Sequence, residues 1–205
     1  MLRKSCLYLL LLLLSFGEGY GQNEDKDLSA NRRIDSLQSA YQTATHDTTK
    51  INILLSWGDE IYINKPDSAL ILWTKARDIT NKCLKRNSKF TELELLTLKK
   101  AKADAFLNIG YFYGMKGNQK LYLKYAINAA NIHEDLLTEK AQKKWIENLK
   151  KKVFLRMKKK LKKGLATSYN HIGFISERLG EIEKALEYYF LSLGIREEIK
   201  DKIGM

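Results

Sequence analysis

The pattern of apolar, small and polar positions between residues 166 and 199 predicts two antiparallel helices joined near Gly180. The apolar and small positions recur at three- and four-residue intervals on both sides of that glycine: Tyr169, Ile172, Gly173 and Ser176 before it, and Ala185, Leu186, Tyr189, Ser192 and Leu193 after it. Gly173 and Ala185 lie 12 residues apart across the turn. Because neither carries more than a methyl group, the helices can approach closely there, and Tyr189 is predicted to fill the wedge beside them.

A similar helix pair is predicted over about residues 50–85. Trp57 and Gly58 occupy the aromatic and small positions of its first helix, and Ala69 occupies the small position of its second. Pro66 is placed to open that second helix, where its missing N–H has no intrahelical partner to lose. Gly58 and Ala69 are 11 residues apart, so this turn is predicted to be one residue shorter.

A third pair is predicted over about residues 103–136. It is preceded by a capping box at residues 91–94, which starts a helix predicted to reach about Met115. The key positions of this pair are Phe106 and Gly110 before a turn at Gly117, and Tyr122 and Ala126 after it. The large and small residues of the second helix are exchanged by one turn, which would conserve volume in the same groove.

Composition favours an all-α protein. The 205 residues include one proline and abundant Leu, Ala, Lys and Glu, and no alternating strand pattern is followed by a hairpin turn. Residues 29–44 are predicted to form a first amphipathic helix, and Asp47 or Thr48 is available as the N-cap of the next. Cys83 is interpreted as a small buried side chain rather than a reactive thiol.

The repeated aromatic, Gly, Ala and aromatic positions resemble the tetratricopeptide repeat (TPR), a helix pair of about 34 residues. The positions that carry the resemblance are Trp57, Gly58, Ala69, Phe106, Gly110, Tyr169, Gly173, Ala185 and Tyr189. The resemblance implies a TPR-like α-solenoid of antiparallel helix pairs, with repeats at about 50–85, 103–136 and 166–199, that binds a protein or peptide. Ordinary helical hairpins are the alternative.

The first residues are predicted to be a secretory signal peptide over residues 1–21. Arg3 and Lys4 precede an 11-residue apolar run, Cys6 to Phe16, and small residues follow it. Export is the favoured interpretation, and an uncleaved N-terminal anchor is the alternative. Residues 22–28 are polar and predicted to be disordered, so the helical repeat domain is expected over residues 29–205. Cleavage would leave Cys83 as the only cysteine, which excludes an intramolecular disulfide.

Residues 140–163 form a basic block. The block holds twelve Lys and Arg against one acid, Glu147. Its apolar residues recur every four positions, with Ile146 and Phe154 widening the stripe: Trp145, Leu149, Val153, Met157 and Leu161. Gly110 and Gly173 are 63 residues apart, against a local period of 40, so the block is predicted to be a helical insertion before the last repeat.

Three roles remain open for this block. It is expected to be a solvated helix packed through its apolar stripe, or to contact an anionic membrane. The contact would use the residues Lys150, Lys151, Lys152, Arg156, Lys158, Lys159 and Lys160. Nucleic-acid binding is disfavoured, because the block lacks an array of stacking aromatic side chains and export removes the usual partner.

Catalytic motifs are not found in the sequence, so no enzymatic activity and no metal or cofactor is predicted. His46 and His133 are predicted to be solvent-exposed, and His171 to face a concave groove. The candidate binding surface of that groove is Asn108, Tyr111, Tyr113, Asn170, His171, Phe174, Glu177 and Arg178. TPR domains that clamp carboxylate termini use Lys, Asn and Arg; Thr167 and His171 stand at the Lys and Arg places here, so that ligand is not predicted.

The order of these segments resembles the extracytoplasmic TPR region of bacterial sensor histidine kinases and helix-turn-helix regulators. This resemblance implies an exported scaffold that binds a protein or peptide and passes occupancy to an output domain. Residues 203–205 fall where a further repeat would begin without a polar cap, which predicts a C-terminally truncated sequence. The alternative function is a membrane-surface adaptor acting through residues 140–163.

Overall fold

The computed structural model describes residue 29 and residues 31–201, and over these residues the chain is all-α. The predicted signal peptide, residues 22–28 and residues 203–205 lie outside the described part. The described helices are α1 (31–43), α2 (Asp47–Ile61), α3 (Pro66–Lys85), α4 (Glu92–Met115), α5 (Gln119–Leu137), α6 (Glu139–Asn148), α7 (Lys151–Arg178) and α8 (Ile182–Glu198), with a 3-10 turn at Asn87–Lys89. None of them is long and apolar enough to cross a bilayer.

Three helical hairpins, α2–α3, α4–α5 and α7–α8, stack in chain order, with α3 against α4 and α5 against α7. The first helices of the hairpins also meet, since α4 contacts both α2 and α7. The predicted turns at Gly117 and Gly180 are confirmed: their φ angles are 83° and 81°. In both turns the next residue donates its N–H back to the helix that ends there, which satisfies a terminal carbonyl.

Of the three helix starts predicted from local signals, two are confirmed and one is wrong. The capping box is confirmed, because Thr91 N–H donates to Glu94 Oε2 at 2.8 Å and Glu94 N–H donates to Thr91 Oγ1 at 3.3 Å. Pro66 is the first residue of α3, as predicted. The N-cap prediction for α2 is wrong: the N-cap is His46, which makes no side-chain cap, and Asp47 instead accepts a hydrogen bond from Cys83 Sγ at 3.4 Å.

Cys83 is buried, as predicted, with 4% of its surface exposed. Burial and the hydrogen bond to Asp47 raise the pKa of its thiol to about 11. A thiol that stays protonated at neutral pH is a poor nucleophile, so Cys83 packs in the core rather than reacting.

The predicted close approach in the last hairpin is present. A Cβ atom built on Gly173 would lie 2.9 Å from the Tyr189 ring and 3.1 Å from the Ala185 carbonyl oxygen. The pattern was only partly right for α8, however, because Leu186 and Leu193 are 50% and 39% exposed. The small residues of α8, rather than its leucines, face α7.

Tyr122 stands where the other hairpins have a small residue, and Gly114 of α4 provides the additional space that its ring needs. Both residues are buried, and the Tyr122 ring lies against Gly110 and Gly114. A Cβ atom on Gly114 would come within 2.3 Å of that ring. The space for the larger side chain is therefore provided by α4 as well as by the small residue in α5.

The basic block is not one continuous helix. Helix α6 ends at Asn148, Leu149 is extended, and α7 starts at Lys151 and runs without interruption through the rest of the block to Arg178. The block therefore lengthens the first helix of the last hairpin. Its apolar stripe closes a third core cluster, whose buried residues are Leu96, Leu136, Trp145, Phe154, Met157 and Leu161.

Ile146 does not widen this stripe, contrary to prediction: it is 60% exposed. Trp145 is the side chain of α6 that is buried against the core, and Ile146, the next residue along that helix, lies on its exposed side. Phe154, on the α7 side of the break, is buried as predicted.

Candidate functional site

The first helices of the three hairpins line an open groove of about 800 Å³. Each helix presents one polar face to it, with residues spaced three or four apart. The polar side chains are Asn52, Ser56 and Asp59 from α2, Thr97, Lys100, Asp104 and Asn108 from α4, and Arg156, Lys160, Lys163, Thr167 and His171 from α7. The groove thus combines residues that are more than a hundred positions apart in the chain.

Asp59 is held in place at one wall of the groove. Trp73 Nε1–H donates to its Oδ1 at 3.0 Å, and Asn108 Nδ2 donates to the same oxygen at 2.6 Å. Burial raises the pKa of Asp59 to about 6, and the nearby Asp104 carboxylate adds to that shift. Asp59 is therefore a carboxyl group fixed by two donors and easily protonated in mildly acidic solution.

Asp59 was missed by the sequence analysis. The available signal was the polar stripe of α2, in which Asn52, Ser56 and Asp59 recur at positions i, i+4 and i+7. That stripe lies opposite the buried Leu54 and next to the Trp57-Gly58 pair, whose spacing indicates packing between helices rather than a site.

His171 lines the groove, as predicted. Its Nδ1 lies 2.9 Å from Tyr122 Oη, and the two rings meet edge to face at 5.7 Å. Burial lowers the pKa of His171 to about 4, with a further contribution from Arg196. The imidazole is therefore neutral at pH 7 and available for hydrogen bonding.

Only some of the remaining residues predicted to form the groove line it in the structure. Asn108 lines the groove, while Tyr111 lies near its edge, in edge-to-face contact with Tyr122 at 6.2 Å. Tyr113 instead stacks on Tyr125 at 5.9 Å with nearly parallel rings. The other four predicted residues, Asn170, Phe174, Glu177 and Arg178, do not line the groove, because they lie on an adjacent face of α7 or one and two turns beyond His171.

The basic block contributes one wall of the groove. Arg156 and Lys160, both predicted as anionic-surface contacts, line it together with Lys163. The other predicted contacts, Lys150, Lys151, Lys152, Lys158 and Lys159, lie outside it. The structure therefore divides the basic side chains of the block into some that line the groove and others that do not.

The prediction that His133 is solvent-exposed is wrong, because its side chain is fully buried. Its Nδ1 lies 3.3 Å from Ser168 Oγ, and its ring fills the space beside Gly164. The reason is that α5 packs against α4 on one side and α7 on the other, so the polar face of α5 is covered by the helix that the basic block extends. His46 is exposed, as predicted.

The burial of His133 makes stability depend on pH. Burial lowers its pKa to about 4, Asp104 opposing and Lys100 reinforcing that shift. Between pH 6.5 and 4 the unfolded chain binds a proton there that the folded chain does not, so stability falls as pH is lowered. His171 acts in the same direction, whereas the raised pKa of Asp59 acts in the opposite one.

Protonation of His133 in the unfolded chain is expected to lower the unfolding free energy between pH 7 and pH 5. In the His133→Gln variant we expect this decrease to be smaller by about 2 kcal/mol. The exposed His46→Gln serves as the control and should leave that loss unchanged. Urea unfolding followed by circular dichroism at both pH values measures it. Equal pH sensitivity in the two variants would contradict a buried neutral His133.

Comparison with known proteins adds no family assignment: no protein-family model matches the chain, and no curated protein matches it significantly. Among the described residues, no group of three or more His, Cys, Asp or Glu side chains is placed to hold a metal ion.

Proposed function

We propose that this protein is an exported TPR-like scaffold that binds a protein or peptide segment in the groove between α2, α4 and α7. The single observation that carries the proposal is that groove, which three successive hairpins line with polar side chains from their first helices. A concave surface built from successive helix pairs is how helical repeat proteins hold an extended or helical segment.

Recurring packing supports the TPR-like interpretation. In each hairpin a glycine of the first helix lies against an aromatic ring of the second: Gly58 against Trp73, Gly110 against Tyr122, and Gly173 against Tyr189. The first and last of these contacts span 15 and 16 residues, which is nearly the same place in a repeat, whereas the middle one spans 12 because the large and small residues are exchanged there.

The groove suits binding because its polar groups are already oriented. Asp59 is fixed by Trp73 and Asn108, and Lys100 Nζ is paired with Asp104 Oδ2 at 2.5 Å. A partner segment would meet donors and acceptors whose positions are set before it arrives, which lowers the entropic cost of association. We propose no catalysis, metal or cofactor for this site.

The larger role that we propose is sensory. The order of segments resembles the extracytoplasmic TPR region of bacterial signalling proteins, and occupancy of the groove would be transmitted to a histidine kinase or helix-turn-helix output. Sequencing the gene beyond the codon for Met205 tests this role, since an open reading frame without such an output would contradict it.

A membrane-surface adaptor is the second candidate, and one observation favours it. Ile146 and Leu155 are 60% and 53% exposed beside the lysines of the basic block. Lysine-rich segments with exposed apolar side chains bind anionic bilayers. Flotation that is equal with neutral and anionic liposomes would remove this candidate.

Asn108→Ala tests the groove directly. The substitution removes the amide that donates to Asp59 and leaves the buried core intact. We expect recovery of a specific partner from an envelope extract by the tagged protein to fall about tenfold, because the partner loses the Asn108 amide as a contact and Asp59 loses one of the two donors that orient it.

Asn131→Ala is the matched control, because Asn131 is an exposed residue of α5 that does not line the groove. Partner recovery should be unchanged in this variant. Equal recovery by both variants would place binding elsewhere, and recovery of no specific partner by the unsubstituted protein would overturn the proposal.

A further inference from the structure

We propose that the groove selects a partner segment rich in acidic side chains, and that the part of the basic block lining it provides this selectivity. This inference rests on the proposed function of the groove and names the chemistry of its partner. The residues concerned are Arg156, Lys160 and Lys163, which the inserted part of α7 contributes.

The three basic residues form a regular wall. They are spaced at positions i, i+4 and i+7, so they project from one face of α7. Met157 and Leu161, which are 7% and 0% exposed, anchor the same stretch of helix to the core. The direction in which the cationic side chains leave the helix is therefore set by packing.

Two of the three cationic side chains on this wall have no ion-pair partner among the described residues. Lys163 Nζ lies 3.3 Å from Asp201 Oδ1, but Arg156 and Lys160 form no ion pair within the described part of the chain. The two acidic residues of the groove are already engaged, Asp104 by Lys100 and Asp59 by Trp73 and Asn108. Arg156 and Lys160 are thus available to carboxylates of a partner, for which a guanidinium has the matching geometry.

The shape and charge of the groove favour a peptide over other polyanions. The opposite walls carry Asp59 and Asp104, which would repel a continuous phosphate backbone. A bilayer surface is flat, whereas these groups lie in a concavity between three helices. A peptide can place acidic side chains against α7 and amide groups against Asn108 and Asp59 at the same time.

Fluorescence anisotropy with defined peptides tests the inference on the full chain. The probe is a labelled peptide of alternating Glu and Ser, about eight residues long; extended, it spans roughly 27 Å, slightly more than the wall from Arg156 to His171. The comparison peptide carries Gln in place of Glu. We expect the Glu peptide to bind about tenfold more tightly at moderate salt.

The decisive variants remove equal charge from two faces of the same helix. Arg156→Gln, Lys160→Gln and Lys163→Gln together should weaken binding of the Glu peptide about tenfold. Lys151→Gln, Lys158→Gln and Lys162→Gln, on a face of α7 that does not line the groove, should weaken it less than about twofold. Each triple variant removes one ion pair, Lys163–Asp201 or Lys162–Glu198, so the two variants are matched in that respect as well. If the first triple variant melts at a lower temperature, the single reversal Arg156→Glu replaces it.

Other outcomes overturn the inference. Equal weakening by both triple variants would show only a general electrostatic attraction between the peptide and α7. Equal affinity for the Glu and Gln peptides would show that the groove does not select acidic side chains. A further comparison uses an oligonucleotide with the same charge as the Glu peptide. If it binds more tightly than the peptide, and the triple variant of the groove loses that binding, the ligand is a phosphate rather than a carboxylate. If a captured partner is lost with Asn108→Ala but kept by the groove triple, the proposed function stands and acidic selectivity fails. If both variants keep the partner, the groove itself is not the site.

Discussion

Replacing Trp73 by alanine is expected to lower the free energy of unfolding by about 4 kcal/mol. The same substitution removes one of the two hydrogen bonds that hold Asp59 in the groove. Trp73 is 2% exposed and lies against Gly58 in the core shared by α2, α3 and α4. From this buried position its indole N–H donates a hydrogen bond to the carboxylate of Asp59. One side chain therefore fills the core and orients a carboxyl group of the site.

Trp73→Phe separates the two effects. Phenylalanine keeps most of the apolar contact but has no N–H, so we expect a loss of about 1 to 2 kcal/mol and a further rise in the pKa of Asp59. Urea unfolding measures the first and carboxyl NMR titration measures the second. A loss below about 2 kcal/mol for Trp73→Ala, or an unchanged Asp59 titration in Trp73→Phe, would contradict this arrangement.

Replacing Gly173 by valine is expected to destabilise the protein by about 3 kcal/mol. The added Cβ would lie 3.1 Å from the Ala185 carbonyl oxygen, which belongs to the backbone of α8 and cannot rotate away, and 2.9 Å from the Tyr189 ring. The hairpin would have to open to admit the side chain. Thermal and urea unfolding of the variant measure the cost.

Gly194 offers a control in the partner helix. A Cβ atom built there meets nothing within 4 Å, so Gly194→Ala should stabilise the protein by up to about 1 kcal/mol through helix propensity. If Gly173→Val were no less stable than Gly194→Ala, the close packing of α7 on α8 would not be what holds the last hairpin together.

The basic block contributes both to the core and to the lining of the groove. Its apolar side chains, among them Phe154 and Leu161, close a core cluster with α4 and α5. On the same helix, Arg156 and Lys160 face the groove. The block therefore forms part of the surface of the groove while remaining packed against the rest of the fold.

Much of the local structure was determined by the sequence alone. The capping box at Thr91, the start of α3 at Pro66 and the turns at Gly117 and Gly180 depend on a few neighbouring residues and were predicted. The contact of Gly173 with Ala185 joins the two helices of one hairpin, where a short loop brings residues 12 positions apart together. Such features need no knowledge of more distant parts of the chain.

Only the tertiary structure brings the residues of the candidate site together. The contacts Asp59–Asn108 and Tyr122–His171 each join residues 49 positions apart on different hairpins. The burial of His133 depends on α7 covering a face of α5 that looks polar by itself. Hydrophobic periodicity specifies one buried face for each helix, but a helix packed on two sides buries a second face, and only the arrangement of its neighbours determines which.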